Sequence, residues 1–372
     1  MNIIIPYKKF LGLTWIAILS IQWSLAQDFD EKKTITKSYQ VDKDANLSIE
    51  SRFGKIHIDT WEKNQIDVEI TIQAEARSRE RAREVIDRIK IDIFDNSPTD
   101  IQFVTRIRDD LSRDGRNRFE INFRVSMPQT NSLEISHSHG DVFVDDVKGD
   151  VDIDLSHGQL LTEKLTGRSR IDISHGNGGR ILEMTKGRLK IHHYRRLRAG
   201  TLGNVNLTLE HSDLAIENST ELDAEIRHSQ FEIENSGNLV LDCAHSNLGV
   251  GQSNNILVDL QHSEIEINNL SKVIEADVNH SEIRLRKVAK DFELIDLNGN
   301  HSYFNINVEN NADYSVDVRL NHGRMRYNSD EIPLNYVDIR NNTERYKGKI
   351  GTGEGTIRVV SSHGDLRLNL VD

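Results

Sequence analysis

The sequence predicts an all-β chain: a single-chain parallel β-solenoid (β-helix) of about 13 coils with an N-terminal α+β cap. Three observations predict it. His-Gly or His-Ser recurs at a nearly constant interval from His139 to His363. Apolar residues alternate with period two on both sides of each histidine, the signature of strands. Only four prolines occur in 372 residues, against abundant Ile, Val, Leu and Asn, a balance that suits long β arrays.

Residues 1–26 read as a secretory leader. Lys8 and Lys9 precede an apolar run from Phe10 to Trp23, and small residues at Ser24 and Ala26 place a cut after Ala26. The run is shorter than the roughly 20 residues a spanning helix needs, and no later segment is apolar enough to span. No Cys follows the run, so a lipoprotein attachment point is missing. Without Lys8 and Lys9 the balance becomes 45 basic against 59 acidic residues. An acidic, exported chain is a poor nucleic-acid binder. The single cysteine, Cys243, excludes an intrachain disulfide and falls at an apolar position of its strand, as a small buried hydrophobe does.

Residues 27–130 differ from the repeat region and are expected to cap the solenoid. "NLSIESRFGKIHIDTW" resembles one repeat unit with Phe53-Gly54 at the corner. "NQIDVEITIQAEA" is a long alternating strand. Ala82, Val85, Ile86 and Ile89 recur at helical spacing behind Ser78, a candidate N-cap. "IQFVTRIR" and "RFEINFRVSMP" supply two more strands, joined by the charged loop "RDDLSRDGRNR". A bare solenoid end would expose strand edges, so this mixed segment fits a cap.

Residues 131–372 carry the repeat. One histidine per unit gives His139, His157, His175, His193, His211, His228, His245, His262, His280, His301, His322 and His363. The interval is 17 or 18 residues up to His280, then 21, 21 and 41. The last interval reads as two units, with Asn341-Asn342 in the place of His-Ser. Near His193 the pattern breaks, and His192 is the alternative register member. Apolar parity shifts by one residue at each His-Ser, which predicts a strand–corner–strand unit. Gly tolerates positive φ at such a corner and Ser can bond its own backbone. Two short strands cannot bury their faces alone, but coils stacked about 4.8 Å apart can, each strand pairing in parallel with its copies. A second, Asn-rich corner closes each unit. At the C-terminus "SSHGDLRLNLVD" is a strand unit with no capping element after it, so that edge is either shielded by the penultimate coils or a place for self-association with another chain.

Parity places the histidines facing inward, as a stacked column satisfying corner backbone groups, a role in which Asn341 could substitute. Buried, stacked imidazoles would stay neutral, so the fold is expected to lose stability in acid. The competing reading is transition-metal binding, for which His211, His228, His245, His262 and His280 are the candidates. Acids two residues further on (Asp141, Asp213, Glu264, Glu282, Asp365) could join, but parity puts them on the face opposite the histidines.

No P-loop, dinucleotide motif, metalloprotease helix or nucleophile elbow is present, and no cofactor is implied. Gly351 to Gly355 form a Gly-rich turn without the strand and helix a phosphate loop needs. A glycosidase needs two carboxylates across a cleft, and units of 17–21 residues leave no long insertions to build one. One surface feature stands apart. Lys186, Arg188, Lys190, Arg195, Arg196 and Arg198 fall within thirteen residues of an acidic chain and form a candidate anion site for acidic polysaccharide or lipid headgroups.

The stretches "SRFGKIHIDTWEKNQIDVEITIQAEARSRERAREVIDRIKIDI", "VSMPQTNSLEISHSHGDVFVDDVKGDVDI" and "GEGTIRVVSSHGDLRL" resemble the bacterial putative-adhesin domain, a family of exported β-solenoid proteins common in Bacteroidetes. The resemblance covers nearly all of the chain after the leader and departs from the family in placing His at nearly every corner. It implies a non-enzymatic protein at the periplasm or cell surface, presenting a binding or scaffolding surface to an envelope or extracellular polymer or protein. A periplasmic metal-binding protein and a polysaccharide-active enzyme are the alternatives.

Overall fold

In the computed structural model, residues 29–108 and 118–372 are described. The leader, and nearly all of the charged loop after Ile107, lie outside them. The chain is 73% strand and forms a parallel β-solenoid of about ten turns. Among the described residues there is one helix, Arg79–Asp87.

Each coil is one long, bent strand or a pair of shorter ones. The strand Asp213–Arg227 lies in parallel register between Leu197–Glu210 and Gln230–Ala244. Every second residue points inward, so equivalent residues pile into columns. Leu214, Phe231, Leu248, Ile265, Ile283 and Phe304 form one of them. Leu222, Leu239, Ile256, Ile274 and Ile295 form another on the facing leg. All are buried, each contributing roughly 1.5–3 kcal/mol against an exposed side chain. Cys243 continues such a column between Ile226 and Leu260.

The stack begins before residue 131. Strands Asn46–Arg52 and Ile56–Trp61 make a coil around Phe53 and pair in parallel with Ser132–Ser138 and Val142–Val144. Antiparallel strands then close this end. Ile89–Ser97 runs against Asp100–Ile107, and Gln65–Ala76 runs between Phe29–Gln40 and Arg118–Pro128. The outermost strand, Phe29–Gln40, carries Asp30, Glu31, Lys32, Lys33 and Lys37, charges that discourage edge-to-edge pairing. The helix buries Ala82, Val85 and Ile86, and the Ser78 side chain accepts the Arg81 N–H at its start.

The C-terminal end departs from expectation at one unit. The unit expected around Asn341-Asn342 is no coil. Asn341 turns an antiparallel hairpin, Tyr336–Arg340 with Thr343–Ile350, and its second strand runs antiparallel to Tyr314–Asn321. One expected unit is thereby lost, because period alone does not reveal strand direction. The last strands in sequence, expected to be either shielded or open to another chain, lie inside the stack, and the strand paired on one side only at this end is Tyr336–Arg340. Strand Gly355–Ser362 inserts between Leu294–Asn300 and Tyr314–Asn321, parallel to both. Leu366–Val371 likewise pairs with Tyr303–Glu309 and Met325–Arg326. The chain overshoots by one coil, folds back through the hairpin, and fills the gap with its own last residues.

Candidate functional site: the imidazole column

All twelve corner histidines have positive φ, between 48° and 63°. That single fact overturns the inward orientation expected from parity. A left-handed residue breaks strand alternation: it turns its own side chain out and the next one in. The imidazoles are exposed, and the serines after them, Ser212, Ser229, Ser246, Ser263, Ser281 and Ser302, are buried.

Serine is therefore the internal brace. Ser246 Oγ accepts the Ser229 N–H at 3.2 Å and donates to the Ala244 carbonyl at 2.8 Å. Ser229 Oγ serves Ser212 N and Arg227 O in the same way, and Ser263 Oγ serves Ser246 N and Gln261 O. Near His193 a tyrosine takes this place. Tyr194 is fully buried, its hydroxyl donates to Gly158 O at 3.1 Å, and its amide donates to Ser212 Oγ. A Cβ at Gly176 would strike the Tyr194 ring, so the glycine one coil below makes room for it. His193 takes the corner and His192 lies beside it, 2.9 Å from a Glu210 carboxylate oxygen.

Outside, the rings form one continuous column with centroids 4.7–5.2 Å apart. Its spatial order ends His301, His363, His322, following the inserted last coil. Phe53 extends the column beyond His139 at 5.1 Å. From His211 to His262 successive rings are within 3° of parallel, whereas His139 to His193 are tilted by 25–46°. Most ring nitrogens in the column have no protein partner among the described residues. Those of His280, His301 and His363 approach Asn279, Asn300 and Ser362.

Parallel rings aim their nitrogens the same way, toward solvent. Two imidazoles on one zinc at about 2.0–2.1 Å each must bring their nitrogens within about 4.1 Å, which the near-parallel rings from His211 to His262, with centroids 4.9–5.0 Å apart, reach only by leaving the stack. Among the described residues no three His, Cys, Asp or Glu side chains converge on an ion position. The acids two residues after His also point outward, correcting the expectation that they face away from the histidines. Most are engaged elsewhere: Asp141 with Lys55 at 3.7 Å, Glu282 with Arg284 at 2.7 Å, and Glu264 also with Arg284.

The six candidate anion-binding residues fall on two legs around the His193 corner. Lys186, Arg188 and Lys190 project from one, where Arg168 and Arg170 sit in register with Lys186 and Arg188. Lys190 pairs with Asp172 at 3.6 Å. Arg195, Arg196 and Arg198 project from the other, with Arg180 in register with Arg198. Arg195 occupies the position two after His193, directly beside the column. Arg196 has φ 55° and donates from Nε to Asn177 Oδ1 at 2.9 Å. The added arginines lie 18 residues upstream, so the repeat period was the signal that would have found them.

His137 is the buried exception. Its Nδ1 lies 3.1 Å from Ser51 O and its Nε2 2.9 Å from Gly54 O. A neutral ring has only one N–H for two carbonyls. Burial nevertheless dominates and holds its pKa below the ordinary histidine value. His139 is also shifted down, first by desolvation and then by the facing His157.

The fold and this surface define a β-solenoid whose prominent feature is a solvent-facing column of side chains. No family model matches the chain, and no curated protein matches it. Solved structures do. A putative cell adhesion protein from Clostridium sporogenes is 10% identical, over 93% of this chain and 100% of its own, with TM-score 0.17. A putative adhesin from Parabacteroides distasonis is 9% identical over 90% and 97%, with TM-score 0.29. A putative lipid binding protein from the same organism is 8% identical over 90% and 96%, with TM-score 0.27. The adhesins bear the name of the family the sequence motifs resemble. At these identities no binding property passes from those proteins to this chain.

Proposed function

We propose that this chain is a non-enzymatic, exported binding rod that works at the cell envelope or surface. The observation that carries the reading is the uninterrupted stack. From His139 to His280 the coils follow one another without an insertion, so no wall rises to form a cleft in which two carboxylates could face each other across a substrate. Acids recur instead as outward strand residues, such as Glu225, Asp242, Asp259 and Asp277 in consecutive coils. No helix among the described residues is long and apolar enough to cross a membrane. Export rests on the leader pattern of residues 1–26. The test is co-sedimentation of the purified chain with envelope fractions, together with analysis of the glycans released. Binding without product is expected, with a secreted chain that begins at Gln27. Steady release of shortened glycans would overturn the reading.

A further inference from the structure

Twelve corners in a row hold histidine in a conformation that glycine and asparagine adopt at less cost. A left-handed non-glycine residue carries backbone strain, and such outliers persist where something over-determines them. The backbone does not require the ring, because six corners are braced by the serine that follows and five others have only glycine there, and Asn341 and Asn311 take the same φ in this chain, at 51° and 64°. What histidine adds at each corner is an exposed, protonatable edge, repeated at one rung spacing along the rod axis.

We propose that the column is a track for a linear acidic polysaccharide, held at neutral pH by Arg195 and Arg196 and gripped more tightly as acid protonates the stacked imidazoles. This deepens the binding-rod reading and rests on it. Three features support it. The track is a line one residue wide, which suits an extended polymer better than a plane of lipid. A 1,4-linked hexuronate chain is extended and carries one carboxylate per sugar, so a line of negative charge meets a line of protonatable rings. The exposed large apolar residues Val240 and Leu257, which a lipid surface would engage, lie on the outer face of a leg and not at the corner.

The flanks of the column carry a small net negative charge, six carboxylates against four arginines, so the Arg195 and Arg196 cluster is their locally basic stretch. On the side two residues after His stand Asp141, Arg195, Asp213, Glu264, Glu282, Arg324 and Asp365, separated by Gln, Asn and Tyr. On the side one residue before stand Arg52, His192, Glu210 and Arg227. Asp141 is paired with Lys55, and Glu264 and Glu282 with Arg284. Glu210 faces His192, Arg227 is paired with Asp242, and Asp365 accepts the Arg324 N–H. The imidazoles therefore set how the charge of this strip responds to pH. Charged rings about 5 Å apart repel one another, and a carboxylate bridging consecutive rungs relieves that repulsion. Polymer binding and proton uptake are thereby coupled.

The test measures binding of polygalacturonate, and of its fully methyl-esterified form, to the secreted chain at about pH 7.5 and about pH 5. The acidic polymer is expected to bind about tenfold or more tightly at the lower pH, with proton uptake, and to weaken steeply with salt. The esterified polymer should not bind. A quadruple variant, His211→Asn, His228→Asn, His245→Asn and His262→Asn, keeps the corner conformation, interrupts the column at its centre and should show a clearly smaller acid gain with an unchanged circular dichroism spectrum. Arg195→Gln with Arg196→Asn should weaken binding at both pH values. Equal binding of the esterified polymer, a pH-independent affinity, or an undiminished acid gain in the quadruple variant would overturn the assignment. So would phosphatidylglycerol vesicles that bind where polygalacturonate does not. If the quadruple variant still sediments with envelope fractions as the parent does, the rod reading stands and the track alone falls.

Discussion

Replacing Ser246 by Ala separates the internal brace from the external column. Ser246 is 3% exposed, and its hydroxyl accepts from Ser229 N while donating to Ala244 O. The substitution strands the buried Ser229 amide, while Ala244 O keeps the His228 N–H, with almost no change of volume. Leaving a buried polar group unsatisfied costs about 1–3 kcal/mol. His245→Asn, one residue away, removes an exposed ring and keeps a residue type that accepts positive φ, so its cost is expected within about 0.5 kcal/mol. In a stack where each coil contacts only its neighbours the loss is local, and hydrogen exchange at the Ser229 amide reads it directly. In Ser246→Ala that amide should exchange about 5- to 150-fold faster, and in His245→Asn it should stay near the parent rate. The reverse order, with the histidine variant opening the corner and the serine variant silent, would refute the assignment of the brace to serine.

Other consequences rest on particular contacts. Truncation after Glu354 removes the strands that fill the gap between Leu294–Asn300 and Tyr314–Asn321, so it should unfold the C-terminal coils and cause aggregation; a soluble truncated chain with parent-like protection at residues 294–321 would contradict the insertion. Burial holds His137 below its ordinary value of 6.5, so below that pH the unfolded chain binds more protons than the folded one. That stability is present above the window and lost as pH falls through it. The thermal midpoint should therefore drop between about pH 7.5 and about pH 5, with a shallower drop in His137→Gln and an identical one if His137 plays no part. Burial pushes the Cys243 thiol up to about 12, so an aromatic disulfide reagent should leave it unmodified in the native chain and modify it in denaturant.

Much of this architecture is written in the sequence, because a period near 18 residues with strand alternation admits few folds. The N-cap at Ser78, the corner at Phe53 and the burial of Cys243 all come from local chemistry that spacing exposes. Two features do not. The orientation of the histidines turns on the sign of one dihedral, and parity counted on an extended backbone reads it backwards. Asn341 resembles a corner because it adopts a corner's φ, yet the strands beside it run antiparallel. Period carries no direction, and only the pairing of Gly355–Ser362 with strands on both sides reveals that the last unit in sequence is not the last in space.

Which residues meet water at the corner decides between a serine brace and a histidine one. Carbethoxylation of the native chain near neutral pH, resolved by peptide mass spectrometry, measures that for every histidine at once. The twelve corner rings should be modified at rates close to that of a free imidazole, while His137 stays protected until the chain unfolds. Protection of His211, His228, His245 and His262 in the native state would put the rings inside the rod and contradict both the serine brace and the track built on exposed imidazoles.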